Sequence, residues 1–156
     1  MPAEAEASKS DSYHGTHNRG VDQSRRVLLP SEWRLAGSAV DFTILQWPME
    51  HPNYLLVLPP KRGDQMTQKL STASLTDEAA AAGLRFISAH SCRRSLDNYG
   101  RLPIPDEAAQ AAGINNDAVL VGMADRFEIW SPERHKADME SAAAKKFLKE
   151  LKKQHL

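Results

Sequence analysis

The sequence predicts a mainly β protein with short helices, an α+β fold built from two copies of one unit and followed by a C-terminal helix. Residues 22–30 (DQSRRVLLP) are echoed by residues 97–105 (DNYGRLPIP), 75 positions later. The apolar segment 54–60 likewise resembles residues 126–132, 72 positions later. Two echoes at nearly the same offset indicate a duplicated supersecondary unit.

Each copy begins with an Asp-x-x-x-Arg segment that predicts a tight turn, because an aspartate side chain caps turns and a glycine such as Gly100 tolerates a positive φ. Apolar residues flank the segment and predict strands, so each copy is expected to open with a hairpin. A short helical segment follows, at residues 31–35 and again at 106–112. In the second copy we expect Asp106 to be the N-cap and Gly113 to end the helix.

Two strands close each copy, and they are clearest at residues 118–123 and 126–130, which flank a polar turn at 124–125. Phe127 and Ile129 alternate with polar neighbours, which is the period of a strand with one apolar face. The predicted order within a copy is therefore strand, turn, strand, short helix and two strands.

The segments between and around the copies predict helices and a tail. In the linker, Asp77 is expected to begin a helix that Gly83 ends. Ser131, Pro132 and Glu133 supply the start of a long helix that runs to Lys153. The resulting division is a disordered tail (1–12), a first repeat (13–63), a helical linker (64–88), a second repeat (89–134) and a C-terminal helix (135–156).

The charge of the whole chain does not favour nucleic acid, because 20 basic residues balance 20 acidic ones. DNA binding must therefore rest on local charge, and both Asp-x-x-x-Arg segments lie in basic surroundings. Arginines at positions 19, 25, 26 and 34 outnumber two acidic residues between 17 and 34, and arginines at 85, 93, 94 and 101 face only Asp97 between 85 and 101.

Catalytic and metal-binding patterns are absent from the sequence. The one cysteine, Cys92, excludes an intrachain disulfide, and the pairs His14 with His17 and His90 with Cys92 are too few for a zinc site. Without a Gly-x-Ser-x-Gly elbow or a phosphate-binding glycine loop, we expect no enzyme, no cofactor and no small-molecule substrate. No apolar run approaches about 20 residues and no signal segment is evident, so we expect a cytoplasmic protein without a membrane partner.

Residues 90–135, with LDNYGRLPIPDEAAQAAGI and AVLVGMADRFEIWSPERH, resemble the second repeat of the MraZ family, bacterial transcriptional regulators of the SpoVT-AbrB type. In the more divergent first repeat, Tyr13, His14 and Gly15 stand where that family has a Phe-x-Gly opening, and the resemblance extends over residues 13–135. It implies two ββαββ halves in one pseudo-symmetric swapped-hairpin barrel, and a ring-shaped homo-oligomer in the cytoplasm and nucleoid. It also implies a repressor of the division and cell-wall gene cluster that binds direct repeats in double-stranded promoter DNA, including its own promoter.

The same resemblance assigns the DNA contacts to the motif arginines, Arg26 and Arg101. An arginine at a turn can bind phosphate or fork to guanine, which is worth roughly 1–3 kcal/mol of discrimination. We expect Asp22, Asp97 and Gly100 to orient the turns. Further candidate DNA contacts are Arg25, Arg19 and Arg94.

One position departs from the family pattern, since Arg25 stands where the second copy has Gly100. If the backbone there needs a positive φ, an arginine pays a strain of about 1–2 kcal/mol, although it also adds a cation. The turn and the preferred operator can therefore differ between the copies.

Several alternatives remain open at this level. An isolated Asp-x-x-x-Arg is also a plain surface turn with an ion pair worth less than about 1 kcal/mol. The chain could form a structural or protein-interaction ring with reduced or no DNA binding, or act as a small hydrolase if His90, Cys92 and Asp97 met in space. A swapped-hairpin antitoxin is a further alternative, but those proteins have one copy per chain, and the duplication favours the MraZ family.

Overall fold

The computed structural model describes residues 12–34 and 41–154, and the predicted tail and Leu35 fall largely or wholly outside these ranges. Within them the chain forms eight strands, one 3-10 helix and five α-helices. The strands are β1 (Thr16–Gly20), β2 (Arg26–Leu28), β3 (Asp41–Trp47), β4 (Tyr54–Leu58), β5 (Ser91–Ser95), β6 (Arg101–Pro103), β7 (Asp117–Gly122) and β8 (Phe127–Trp130). The helices are the 3-10 helix (Ser31–Trp33), α1 (Pro60–Ser74), α2 (Glu78–Ala89), α3 (Asp106–Ala112), α4 (Pro132–Met139) and α5 (Ala142–Lys153).

Six strands form an antiparallel sheet in the order β1-β7-β8-β4-β3-β5. The first half of the chain contains β1–β4 and the second half contains β5–β8. The first strand of each half pairs with a strand of the other half, since β1 pairs with β7 and β5 pairs with β3. At the centre, β4 pairs with its counterpart β8. The predicted α+β class is confirmed, and neither half completes its own sheet. Closure of the strands into a barrel stays a prediction.

The two short strands β2 and β6 form a separate antiparallel ribbon in which Val27 lies opposite Leu102. Because side chains alternate along a strand, Val27 and Leu102 are both fully buried while Arg26 and Arg101 lie on the outer face. Of each predicted hairpin only the turn is present, because the strand that follows the turn pairs with the other half. The first half has a single bridge between Val21 and Val27, and β2 then pairs across the halves with β6.

The core beneath the ribbon is an aromatic cluster. The ring centroids of Tyr13 and Trp33 are 5.5 Å apart, those of Trp33 and Phe127 are 5.0 Å apart, and Phe42 completes the group at 5.8 Å from Phe127. All four side chains are at most 1% exposed. Val27 and Leu102 belong to the same cluster, so the ribbon is anchored in the main core.

The ends of α2 and α3 follow the predictions in part. Asp77 caps α2 by accepting the backbone N–H of Ala79, and Gly113 ends α3 with φ +70°, both as predicted. The prediction that Gly83 ends the linker helix is wrong, because one interior glycine costs only about 1 kcal/mol and α2 continues to Ala89. Asp106 is the first residue of α3 rather than its N-cap, a position that Pro105 occupies without a side-chain bond.

The predicted C-terminal helix is present as two helices. Ser131 caps α4 by accepting the backbone N–H of Arg134 at 3.1 Å, as its sequence indicates. Ser141 then adopts an extended conformation and accepts the N–H of Ala144 at 3.2 Å, which begins α5. A good N-cap inside the segment therefore divides it. None of the helices in the described ranges is long and apolar enough to cross a membrane.

We expect Leu102→Ala to lower the free energy of unfolding by about 2–5 kcal/mol, because it opens a cavity where the ribbon enters the core. Leu28→Ala is the matched control, since Leu28 lies on the same ribbon and is 39% exposed. Urea unfolding followed by circular dichroism measures both. Equal losses for the two variants would contradict the anchoring role of the inner face.

Candidate nucleic-acid interface

The first Asp-x-x-x-Arg turn is closed by its aspartate. Oδ1 of Asp22 accepts the backbone N–H of Ser24 at 2.9 Å and that of Arg26 at 2.8 Å. The backbone N–H of Arg25 also donates to the carbonyl of Asp22 at 3.0 Å. Three bonds converge on one residue, so the conformation of the turn is fixed before any ligand arrives.

The second turn has the same bonds at equivalent positions. Oδ1 of Asp97 accepts the backbone N–H of Tyr99 and that of Arg101, each at 2.9 Å. The backbone N–H of Gly100 donates to the carbonyl of Asp97 at 3.1 Å. The two halves therefore share one turn geometry despite their different residues.

Pairing of β2 with β6 brings the two motifs together in a cluster of four charges, the Asp22–Arg26–Asp97–Arg101 quartet. Within each motif the arginine Nε donates to the Oδ2 of its own aspartate, at 3.0 Å from Arg26 and 2.8 Å from Arg101. Across the motifs, Nη1 of Arg26 reaches Asp97 and Nη1 of Arg101 reaches Asp22, both at 3.4 Å. The quartet thus has the approximate two-fold symmetry of the strand pairing.

Each quartet side chain is between 22% and 32% exposed, so the cluster is at the surface but not loosely solvated. The backbone N–H of Arg26, with a further contribution from its guanidinium, lowers the pKa of Asp22 against a smaller opposing effect of burial. Burial by itself raises the pKa of Asp97, but the N–H groups of Arg101 and Tyr99 and the Arg101 guanidinium outweigh it and leave that pKa lowered. Both carboxylates are therefore ionised at neutral pH.

The fourth residue of each turn adopts a positive φ, +56° at Arg25 and +81° at Gly100. Over Gly100 lies the side chain of Arg34, whose Nε and Nη2 donate to the carbonyl of Leu29 at 3.1 and 3.0 Å. A Cβ at Gly100 would come within 2.4 Å of that side chain. Glycine therefore avoids strain in the second turn and leaves room for the Arg34 side chain, which would have to shift for any larger residue.

In the first turn the fourth residue is itself an arginine, and its side chain contacts the second half. Nε of Arg25 lies 2.8 Å from Oδ1 of Asp106, and its Nη1 donates to the carbonyl of Ile114 at 3.3 Å. The position that corresponds to Arg34, 75 residues further on, is Ala109, a small residue of α3. A guanidinium therefore lies near each turn, and both come from the first half, Arg25 within the first turn and Arg34 over the second.

The remaining candidate arginines, Arg19 and Arg94, occupy equivalent positions on β1 and β5. Each donates to the carbonyl of the preceding residue, at 3.1 and 2.7 Å respectively. Arg19 also reaches the carbonyl of Leu28 at 3.0 Å and so lies beside the ribbon. The structure therefore gathers the side chains of Arg26, Arg101 and Arg19 near the ribbon. The side chain of Arg25 instead contacts residues 106 and 114, and that of Arg94 bonds within β5.

Two further residues of this region, Tyr99 and Arg34, are not indicated as site residues by the sequence pattern. Tyr99 is 72% exposed beside the quartet, and its place in the motif was visible by aligning the two copies. The packing of Arg34 over Gly100 had no sequence signal, because it joins residues 66 positions apart in different halves.

No hydrogen bond or ion pair joins His90, Cys92 and Asp97, the side chains of the hydrolase alternative, in the described part of the chain. Nδ1 of His90 lies 2.8 Å from the carbonyl of Phe86, and Asp97 is bound by arginines. Burial raises the pKa of the Cys92 thiol, which disfavours a reactive thiolate. No group of three or more metal-ligating side chains occurs in residues 12–34 and 41–154.

We expect Arg25→Gly to be about 1 kcal/mol more stable than Arg25→Ala, because both lose the bond to Asp106 but only glycine accepts φ +56° without strain. Urea unfolding measures the difference. The matched control is the same pair of substitutions at Arg94 in β5, where alanine is expected to be the more stable. The same order at both positions would contradict strain at Arg25.

A family model described as "MraZ protein, putative antitoxin-like" matches residues 86–154. The chain is 34% identical over 120 residues to the transcriptional regulator MraZ of Clostridium tetani, which covers 77% of this chain and 82% of that relative. It is 32% identical over 122 residues to the transcriptional regulator MraZ of Saccharopolyspora erythraea, covering 77% and 81%. The corresponding protein of Deinococcus radiodurans is 29% identical over 130 residues, covering 83% and 89%. With the two echoing copies and their paired turns in place, these similarities show that the chain belongs to the MraZ family.

Proposed function

We propose that the chain is a sequence-specific DNA-binding transcriptional regulator whose β2–β6 ribbon enters the major groove. The observation that carries this proposal is the placement of Arg26 and Arg101 on the outer face of a two-stranded antiparallel ribbon. A major groove about 12 Å wide admits a two-stranded ribbon, and arginine is the side chain that reads guanine most often there. The names of the relatives, transcriptional regulators, support the same function.

The quartet leaves the arginines able to read a base. The short bonds from Nε, at 2.8–3.0 Å, hold each side chain to its own aspartate. The cross bonds from Nη1 are long, at 3.4 Å, and no hydrogen bond to a described residue engages either Nη2. The terminal edge of each guanidinium can therefore fork to O6 and N7 of guanine while Nε keeps its aspartate.

The assembly and target belong to the same proposal. A ring-shaped homo-oligomer would present several ribbons to direct repeats in double-stranded promoter DNA, so that avidity multiplies a modest affinity. Exposed apolar side chains on the helices offer surface for association, among them Phe86, Phe147 and Leu148. In this proposal the protein acts in the cytoplasm and nucleoid as a repressor of the division and cell-wall gene cluster, including its own promoter.

One observation favours a second candidate function, a structural or protein-interaction ring with reduced or no DNA binding. The quartet holds two carboxylates within 3.4 Å of the two guanidinium groups, so its net charge is zero. Carboxylates at that place repel phosphate and weaken the electrostatic part of DNA binding. The regulator is expected to bind DNA in a way that depends on salt and on the motif arginines. The interaction ring is expected to show no such dependence.

We expect Arg26→Ala and Arg101→Ala each to weaken binding about 5- to 150-fold, because each removes a base contact worth about 1–3 kcal/mol. The measurement is fluorescence anisotropy on duplex DNA from upstream of the chain's own gene, at several salt concentrations. Arg85→Ala is the matched control, since Arg85 is 66% exposed and its ion pair is with Glu78 of the same helix, α2. Circular dichroism and the variants Arg26→Lys and Arg101→Lys separate lost contacts from lost folding.

Tight, salt-sensitive binding that falls in both alanine variants supports the regulator. Binding that is absent, or that both substitutions leave unchanged, contradicts the arginine assignment and favours the interaction ring.

We expect DNA with three direct repeats to bind roughly a hundredfold or more tightly than DNA with one, because a ring engages neighbouring repeats within one complex. The same titration measures both fragments, and light scattering gives the mass of the free protein. A mass equal to one chain of 17.3 kDa, with equal affinity for both fragments, would contradict ring assembly.

A further inference from the structure

The two turns share one backbone conformation but carry different side chains at their tips. The third residue of each turn donates its backbone N–H to the aspartate at 2.9 Å, and this residue is Ser24 in the first half and Tyr99 in the second. Both side chains therefore leave the turn from equivalent positions. A serine hydroxyl stays close to the backbone, whereas the tyrosine ring extends beyond it and is 72% exposed.

The ring of Tyr99 also contacts one of the two reading arginines. Cζ of Arg101 lies 5.1 Å from the ring centroid, in the range of a cation–π contact. Arg101 is therefore held by Asp97, by Asp22 and by an aromatic ring, whereas the contacts of the Arg26 guanidinium within the described ranges are to the two carboxylates. A large aromatic side chain with a polar tip, mostly exposed beside a charged cluster, is the composition typical of contact residues at interfaces.

We propose that Tyr99 contacts DNA beside Arg101 and makes the two halves of the ribbon read different base pairs, so that each chain binds its site in one orientation. The inference rests on the proposed DNA-binding function and adds the orientation in which the chain binds its site. A ribbon with identical tips would read a site with two-fold symmetry, because Arg26 and Arg101 are related by the symmetry of the strand pairing. Only the second tip offers a ring, which can pack against a thymine methyl group or a sugar, and a phenol that can bond a phosphate or a base edge.

The first test is selection of preferred sequences from a random duplex library with the wild-type chain and with Tyr99→Ser, which gives the second turn the tip of the first. The wild type is expected to select an asymmetric site. Tyr99→Ser is expected to lose preference at positions in one half of that site and to bind the wild-type sequence roughly tenfold more weakly in anisotropy titrations. Tyr99→Phe keeps the ring and is expected to keep the asymmetric preference.

The controls separate this inference from the function on which it rests. Ser24→Ala alters the other tip and is expected to leave the selected sequence unchanged, and unchanged thermal midpoints show that the variants fold. If the wild type binds and Arg101→Ala abolishes binding, but Tyr99→Ser selects the wild-type sequence with undiminished affinity, the inference alone is wrong. If the wild type binds no sequence in the library, the proposed function fails and the inference fails with it.

Discussion

The antiparallel pairing of β2 with β6 is the interaction on which the rest of the structure depends. Each of these strands has only three residues, and so short a ribbon is not stable by itself in water. It is stable here because Val27 and Leu102, opposite one another, enter the aromatic core that both halves build. The same pairing fixes the distance between the two arginines. The candidate reading surface therefore depends on this one contact, which the shared core supports.

The charges of the quartet contribute more to the position of the two arginine side chains than to the stability of the fold. Ion pairs that are about 22–32% exposed are worth no more than about 1 kcal/mol each, because water screens them. Two guanidinium groups on one face of a ribbon would repel, however, and the aspartates between them remove that repulsion. They also hold each Nε in place, so that DNA would not have to order these side chains on binding. The cost is a surface that attracts phosphate weakly, so the proposed function depends more on contacts to base edges and on repetition of the site.

The sequence was sufficient for the local features and insufficient for contacts between the halves. The turn at each Asp-x-x-x-Arg, the cap at Asp77 and the end of α3 at Gly113 were predictable because each depends on a few adjacent residues. The strand partners of β2 and β6 were not, because an alternating pattern defines an inner face without saying which strand lies beside it. For the same reason the cover of Gly100 by Arg34 was invisible from the sequence. The break before α5 was missed for another reason, since Ser141 competes as an N-cap within a segment that otherwise favours continuous helix.

The contacts that cross between the halves also explain how the first turn tolerates an arginine at a positive φ. Arg25 donates to Asp106 and to the carbonyl of Ile114, while its own carbonyl accepts the N–H of Ile104 at 2.8 Å. All three partners belong to the second half, so the strained residue ties one half to the other. In the opposite direction, Arg34 of the first half covers Gly100 of the second. Each turn is therefore braced by the half to which it does not belong, and damage to either half would displace both arginines. A reading surface of this kind acts as one unit, although its two tips present different chemistry to a ligand.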